Sequence, residues 1–232
     1  WVGGEMFVGQ AGNGNYLQVD GLAEIEGNLV IAAERGAGQY GDGNCELRGG
    51  LLRAPHLVVG GGGYGAFRQS GGVGEFGRVT VGRDANGEGT VNLYGGTFDA
   101  DELIVAAAGT GWLEIDQPDA EVVVGSVLRF GPDGHFYAEA NTVIVLDGAA
   151  LEIAANVPAH LEALSEATFY AEGGGDGTCL VEYAGVVDGG FSGNFSLGGL
   201  VIGDDVDALV ALVDAAENGD PWDANAGSAT AT

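Results

Sequence analysis

The chain has 232 residues, 46 of them glycine, with 34 acids against seven arginines, no lysine and a net charge of −27. A surface this negative repels phosphate backbones and anionic headgroups, so nucleic acid and membrane are excluded as partners; cations, neutral glycans and other proteins remain. No run approaches about 18 apolar residues and no basic segment precedes an apolar one, so neither a spanning helix nor a signal peptide is expected in these residues.

The first half of the chain repeats a phrase. Phe7-Val8-Gly9 leads to Gly12-Asn13-Gly14, then Leu17 and Val19. Val58-Val59-Gly60 leads to Gly63-Tyr64-Gly65, then Phe67 and Gln69. Thr80-Val81-Gly82 leads to Gly87-Glu88-Gly89, and Ile104-Val105-Ala106 to Gly109-Thr110-Gly111. The unit recurs every 22 to 28 residues. A period in this range means one supersecondary unit stacked on copies of itself.

Aligned, the repeats form apolar columns expected to point inward, since alternate strand residues share a face. Leu17, Cys45, Phe67, Val91 and Leu113 make one; Val19, Leu47, Gln69, Leu93 and Ile115 the next. Leu29, Leu57, Val79, Leu103 and Val122 make a third, and Ile31, Val59, Val81, Val105 and Val124 a fourth. Gln69 is the polar member and needs an internal partner. Between these columns lie outward residues: Gln18, Glu46, Arg68, Asn92 and Glu114, and again His56, Arg78 and Glu102. Stacking at ~4.8 Å predicts cross-coil ion pairs Glu46–Arg68 and Arg78–Glu102. Strands of three to six residues with no helical pattern between them predict an all-β chain, a right-handed parallel β-helix with a less regular C-terminal β region. Its coils begin near residues 16, 44, 66, 90 and 112.

The β-helix repeats are expected over 1–156. An irregular β extension or cap follows over 157–217, with a short helical turn near 159–167 and a strand over 206–217. An acidic turn and flexible tail close the chain over 218–232. The Gly-rich stretch 36–43 reads as an insertion in one turn.

The phrase Val-Gly-x-x-x-Gly-x-Gly, followed by alternating apolar residues and Gly-Gly, resembles repeats of secreted bacterial β-helix proteins: autotransporter passenger domains and surface proteins of the PEP-CTERM type. Residues 197–220 resemble the stretch that follows the repeats in the latter group. No PEP-type sorting tail is present. The resemblance implies export and a structural, adhesive or glycan-related role at the cell surface, and carries no catalytic motif.

Chemistry is sparse. His56, His135 and His160 sit in no nucleophile or metal spacing. Glu114 and Asp116 alternate onto one face above Asn92 and Arg68, a carboxylate pair of the kind polysaccharide-cleaving enzymes use; in a chain this acidic such clusters arise by chance, and a solvated face is the favoured reading. Calcium is the cation to consider. Asp204, Asp205, Asp207, Asp220 and Asp223 are its candidate ligands, without an EF-hand or nonapeptide pattern. Tyr94, Trp112 and Trp222 read as scattered rather than as a sugar-stacking row. Cys45 and Cys179 either pair in an oxidising compartment or are small core residues. A terminal coil exposes unpaired backbone, so Trp1, Phe7 and Val8 form the expected self-assembly edge, unless Trp1 and Met6 fold over it. Together these features predict a non-enzymatic extracellular building block of a surface layer, fibre or adhesive matrix that associates head to tail. The competing class is a carbohydrate-active enzyme or glycan-binding module.

Overall fold

The computed structural model describes residues 1–33, 41–117, 119–138, 142–147, 150–154, 167–172, 178–187 and 191–198. Among them there is no helix; the chain is a parallel β-solenoid of about five turns. Its strands are β1 (Met6–Val8), β2 (Asn13–Gln18), β3 (Leu22–Glu24), β4 (Asn28–Ile31), β5 (Asp42–Leu47), β6 (Leu51–Val59), β7 (Tyr64–Val81), β8 (Glu88–Val105), β9 (Thr110–Ile115), β10 (Ala120–Phe130), β11 (Gly134–Ala138), β12 (Thr142–Asp147), β13 (Ala150–Ala154), β14 (Ala167–Glu172), β15 (Thr178–Val187) and β16 (Phe191–Gly198).

Each coil presents three faces. The first carries β2, β5, the starts of β7 and β8, then β9 and β11. The second carries β3, the start of β6, the middles of β7 and β8, and the start of β10. The third carries β1, β4 and the ends of β6, β7, β8 and β10. The 18-residue strands β7 and β8 are longer than the short strands expected, because they continue round two corners, with bulges near Ser70, without breaking off. At one corner Gly21, Gly50, Gly72 and Gly96 all take positive φ, from 74° to 84°, a region L side chains rarely adopt.

A second glycine column explains the repeated Gly-x-Gly. Gly14, Gly43, Gly65, Gly89, Gly111 and Gly134 stack in register at the start of the first face. The preceding turn folds back so closely that a Cβ on Gly14 would overlap the Gly9 amide, and one on Gly65 the Gly60 amide. This steric demand corrects the expected register of the first coil. Asn13–Gln18 pairs with Asp42–Leu47 so that Gly14 meets Gly43. Tyr16 and Gln18 therefore take the inward positions assigned to Leu17 and Val19, and Leu17 and Val19 are exposed.

Gln18 thus joins Gln69 in one inward column with Leu47, Leu93 and Ile115. Both glutamines solve burial alike. Gln18 Nε2 donates to the Gly21 and Leu51 carbonyls at 3.0 Å each. Gln69 Nε2 donates to the equivalent carbonyls of Gly72 and Thr97 at 3.3 and 2.9 Å. Each amide so clamps its own corner to the coil above. Gln18 Oε1 accepts from the Tyr16 hydroxyl, whereas Gln69 Oε1 is buried without a partner.

The core is a narrow aliphatic stack with an aromatic knot, where Phe67 meets Phe76 and Phe98 at centroid distances of 5.9 and 5.8 Å. Val122 and Val124 are buried, but on the second face, paired with Phe98 and Ala100; Leu128 and Phe130 fill the third-face columns instead. One extra residue at the bulge between Val124 and Val127, where two residues oppose one, carries the chain round that corner. Parallel stacking continues past 156, with β14 on β12 and β15 on β13, and changes only at β16, which pairs antiparallel to β15. Most of the insertion expected over 36–43 and of the helical turn near 159–167, and all of the strand over 206–217 and the tail over 218–232, lie outside the described residues.

Candidate functional site

In-register stacking on the first face builds outward columns from residues about one coil apart. Asn44, Ala66, Thr90, Trp112 and His135 form one; Glu46, Arg68, Asn92, Glu114 and Tyr137 form the next. The Trp112 and His135 rings stack with centroids 5.0 Å apart and planes 16° from parallel. The centroid spacing is that of neighbouring strands, so the rings stand edge-out from the sheet and lie face to face along the stack. With one face on His135, the other face of Trp112 looks down the column toward the small Thr90. A β-bulge places Tyr94 as an extra residue between the partners of Gln69 and Ser70, and turns it outward beside Asp116.

Glu114 and Asp116 lie on this face with Asn92 and Arg68 on successive coils below Glu114. The Asn92 amide donates to the Glu114 carboxylate, and the Tyr94 phenol lies near the Asp116 charge. Burial first, then the Asp116 charge, raise Glu114 above the ordinary carboxyl range, against the Asn92 hydrogen bond and the Arg68 charge. Partial burial and Asp116 likewise push the Tyr94 phenol up. Of the aromatics that read as scattered, Tyr94 and Trp112 lie on this face near the carboxylate pair, where His135 and Tyr137 of the next coil join them. The signal for this was the glycine column, since extending it from Gly111 to Gly134 puts His135 beside Trp112.

Of the cross-coil ion pairs, Arg78–Glu102 forms at 2.6 Å, and Arg53–Glu75 is a second one. Glu46–Arg68 does not. Glu46 is adjacent to Arg68 in register, but pairs along its own strand with Arg48 at 2.6 Å, while Arg68 donates to Asn44. All are surface pairs, worth at most about 1 kcal/mol each.

Cys45 is a free, fully buried thiol pushed up to about 12 by burial, which suits a core residue and not a disulfide. Cys179 falls in β15, several coils along the stack from β5, far beyond the ~7 Å Cα separation a disulfide tolerates. Val8 is core rather than edge, 4% exposed; Trp1 is 78% exposed and Phe7 is exposed, so Trp1 does not close over the first coil. Trp222, His160 and the acids Asp204, Asp205, Asp207, Asp220 and Asp223 lie outside the described residues. Among the described residues no group of three or more His, Cys, Asp or Glu side chains is placed to hold a metal ion, and no helix is long and apolar enough to cross a membrane. A groove of about 410 Å³ between the second and third faces runs past Glu24, Arg53, Glu75, Asp99 and Asp101 over Pro55 and Phe76.

On the third face His56 Nε2 lies 2.8 Å from Thr80 Oγ1. Burial first, then Arg78 and Arg83, lower its pKa against the pull of Glu102. A depressed histidine is neutral in the fold and charges more readily in the unfolded chain. Its contribution is present above the unfolded value of about 6.5 and is lost as pH falls through the folded pKa. The expected result is that wild type loses more stability than His56→Gln between pH 7.5 and pH 5. Parallel urea midpoints for the two proteins over that interval would contradict it.

No family model, curated protein or solved structure matches this chain. The fold and the face define its class, a parallel β-solenoid carrying an aromatic and acidic outer surface.

Proposed function

We propose that the chain is a non-enzymatic, extracellular structural element, a rod-like building block of a surface layer, fibre or adhesive matrix, which lengthens by coil-on-coil contact with copies of itself. One observation carries the reading. Of the nine exposed large hydrophobic side chains among the described residues, six (Trp1, Val2, Phe7, Leu17, Val19 and Leu22) belong to the first coil and its lead-in. On the same coil β1, β2 and β3 are each laddered on one side, to β4, β5 and β6. Only the Val2↔Ile25 bridge continues the stack beyond them. An open strand edge ringed by apolar side chains is a template for another coil, and a head-to-tail contact that does not close by rotation makes a filament.

The −27 charge opposes this contact, so association strengthens as salt or divalent cations rise. Light scattering and electron microscopy of this 232-residue chain across a salt series test it. Higher-mass species growing with ionic strength are expected, and Leu17→Asp with Leu22→Asp returns them to monomer without loss of fold, because both side chains are exposed. A monomer at every concentration and salt overturns the reading.

A further inference from the structure

We propose that the first face of the coils formed by β8, β9 and β11 is a binding surface for a neutral oligosaccharide, with the Trp112 ring as its stacking platform. The inference stands on a different part of the molecule from the assembly edge and is independent of it. An indole face backed by a stacked imidazole is held in place, since two rigid neighbouring strands fix both rings. The residue beside it in register on the other coil is Thr90, whose side chain is far smaller than an indole. The C–H face of a pyranose is apolar and matches a flat aromatic, while its equatorial hydroxyls need acceptors at the rim.

Those acceptors are present. Glu114 follows Trp112 by two residues on the same strand face, and Asp116 follows Glu114. Ionised carboxylates are acceptor-only groups that form stronger hydrogen bonds than neutral oxygens, and each can take two adjacent hydroxyls. Asn92 donates to Glu114 from below and orients it, and Tyr94 stands beside Asp116. Tyr94 and Tyr137 are 41% and 43% exposed, and add apolar area flanking the carboxylates. A surface already ordered by parallel ladders loses little freedom on binding, which favours an extended ligand laid across coils.

Charge sets the class. Glu114 and Asp116 face the ligand, Arg68 stands two coils below Glu114 in the same column, and the chain carries −27 overall. Uronate-rich or sulfated chains are repelled; an uncharged hexose chain is not.

Calorimetric titration with cellohexaose, laminarihexaose and maltohexaose as neutral probes, and oligogalacturonate as the acidic one, decides the matter. At low salt, where the charge keeps the protein monomeric, at least one neutral probe binds and oligogalacturonate does not. Trp112→Ala weakens that binding at least tenfold, and Glu114→Gln or Asp116→Asn several-fold. Leu22→Asp, at the assembly edge, leaves it unchanged, so failure of one reading does not imply failure of the other. Should Trp112→Ala not fold, the two carboxylate variants carry the same decision, being isosteric and on the surface. Absence of binding to all three neutral probes at millimolar concentration, or binding indifferent to these variants, overturns the proposal.

Discussion

Leu103→Asp is expected to abolish cooperative folding. Leu103 is fully buried in the third-face column that runs Leu29, Leu57, Val79, Leu103, Leu128. The solenoid interior is narrow, so the new carboxylate has no polar neighbour to turn to and no space for a hydration shell. Losing the leucine alone costs about 2–5 kcal/mol, and an unpaired buried charge costs several more. A domain stable by about 5–15 kcal/mol does not survive that sum. The neighbouring Glu102→Ala is the control, since it points outward and loses only its surface pair with Arg78, at most about 1 kcal/mol. Far-ultraviolet circular dichroism through a urea titration distinguishes them. A Leu103→Asp midpoint near wild type would remove this residue from the core.

Gly89→Ala is the smaller change with the next largest effect. Gly89 carries no unusual φ, so the penalty is purely one of space. An added methyl would overlap the Val59 carbonyl oxygen and stand 2.8 Å from both the Gly82 amide nitrogen and a Val81 methyl. The Val59 carbonyl accepts from Gly82 N at 2.8 Å and is held in the ladder; it cannot retreat without breaking pairing between two coils. Overpacking of this kind costs about 3 kcal/mol, a fall in Tm of roughly 10 °C for a chain this size. Gly12→Ala, the first glycine of the same motif in the first coil, meets nothing within 4 Å and is expected to be neutral. Equal melting temperatures for the two variants would show that the glycine column is not a steric requirement. The position one turn earlier behaves differently: Ala32 and Ala106 sit at φ 60° in line with Gly9, Gly60 and Gly82, so there the chain tolerates the backbone strain of a side chain, about 1–2 kcal/mol.

Alternation along each strand and the recurring Gly-x-Gly were enough to read a parallel β-solenoid, its inward columns from Cys45 to Leu113, and the Arg78–Glu102 pair. These are local or strictly periodic properties, and each residue carries them without knowing its neighbours one coil away. What the tertiary structure alone decided is where the contacts between coils depart from the simple repeat. The first coil is one residue out of the apolar alignment, because Gly14 must occupy the crowded site under Gly9 and takes precedence over burying Leu17 and Val19. Val122 and Val124 moved to a different face because alternation marks a side chain as inward but cannot say which of three faces it lines. Glu46 chose Arg48 over Arg68 because a partner on the same strand face competes with one a coil away. The Trp112–His135 stack and the tyrosines around Glu114 came together because variable turn lengths, not sequence distance, set the register between coils; residues 23 apart become neighbours only once every turn between them has closed.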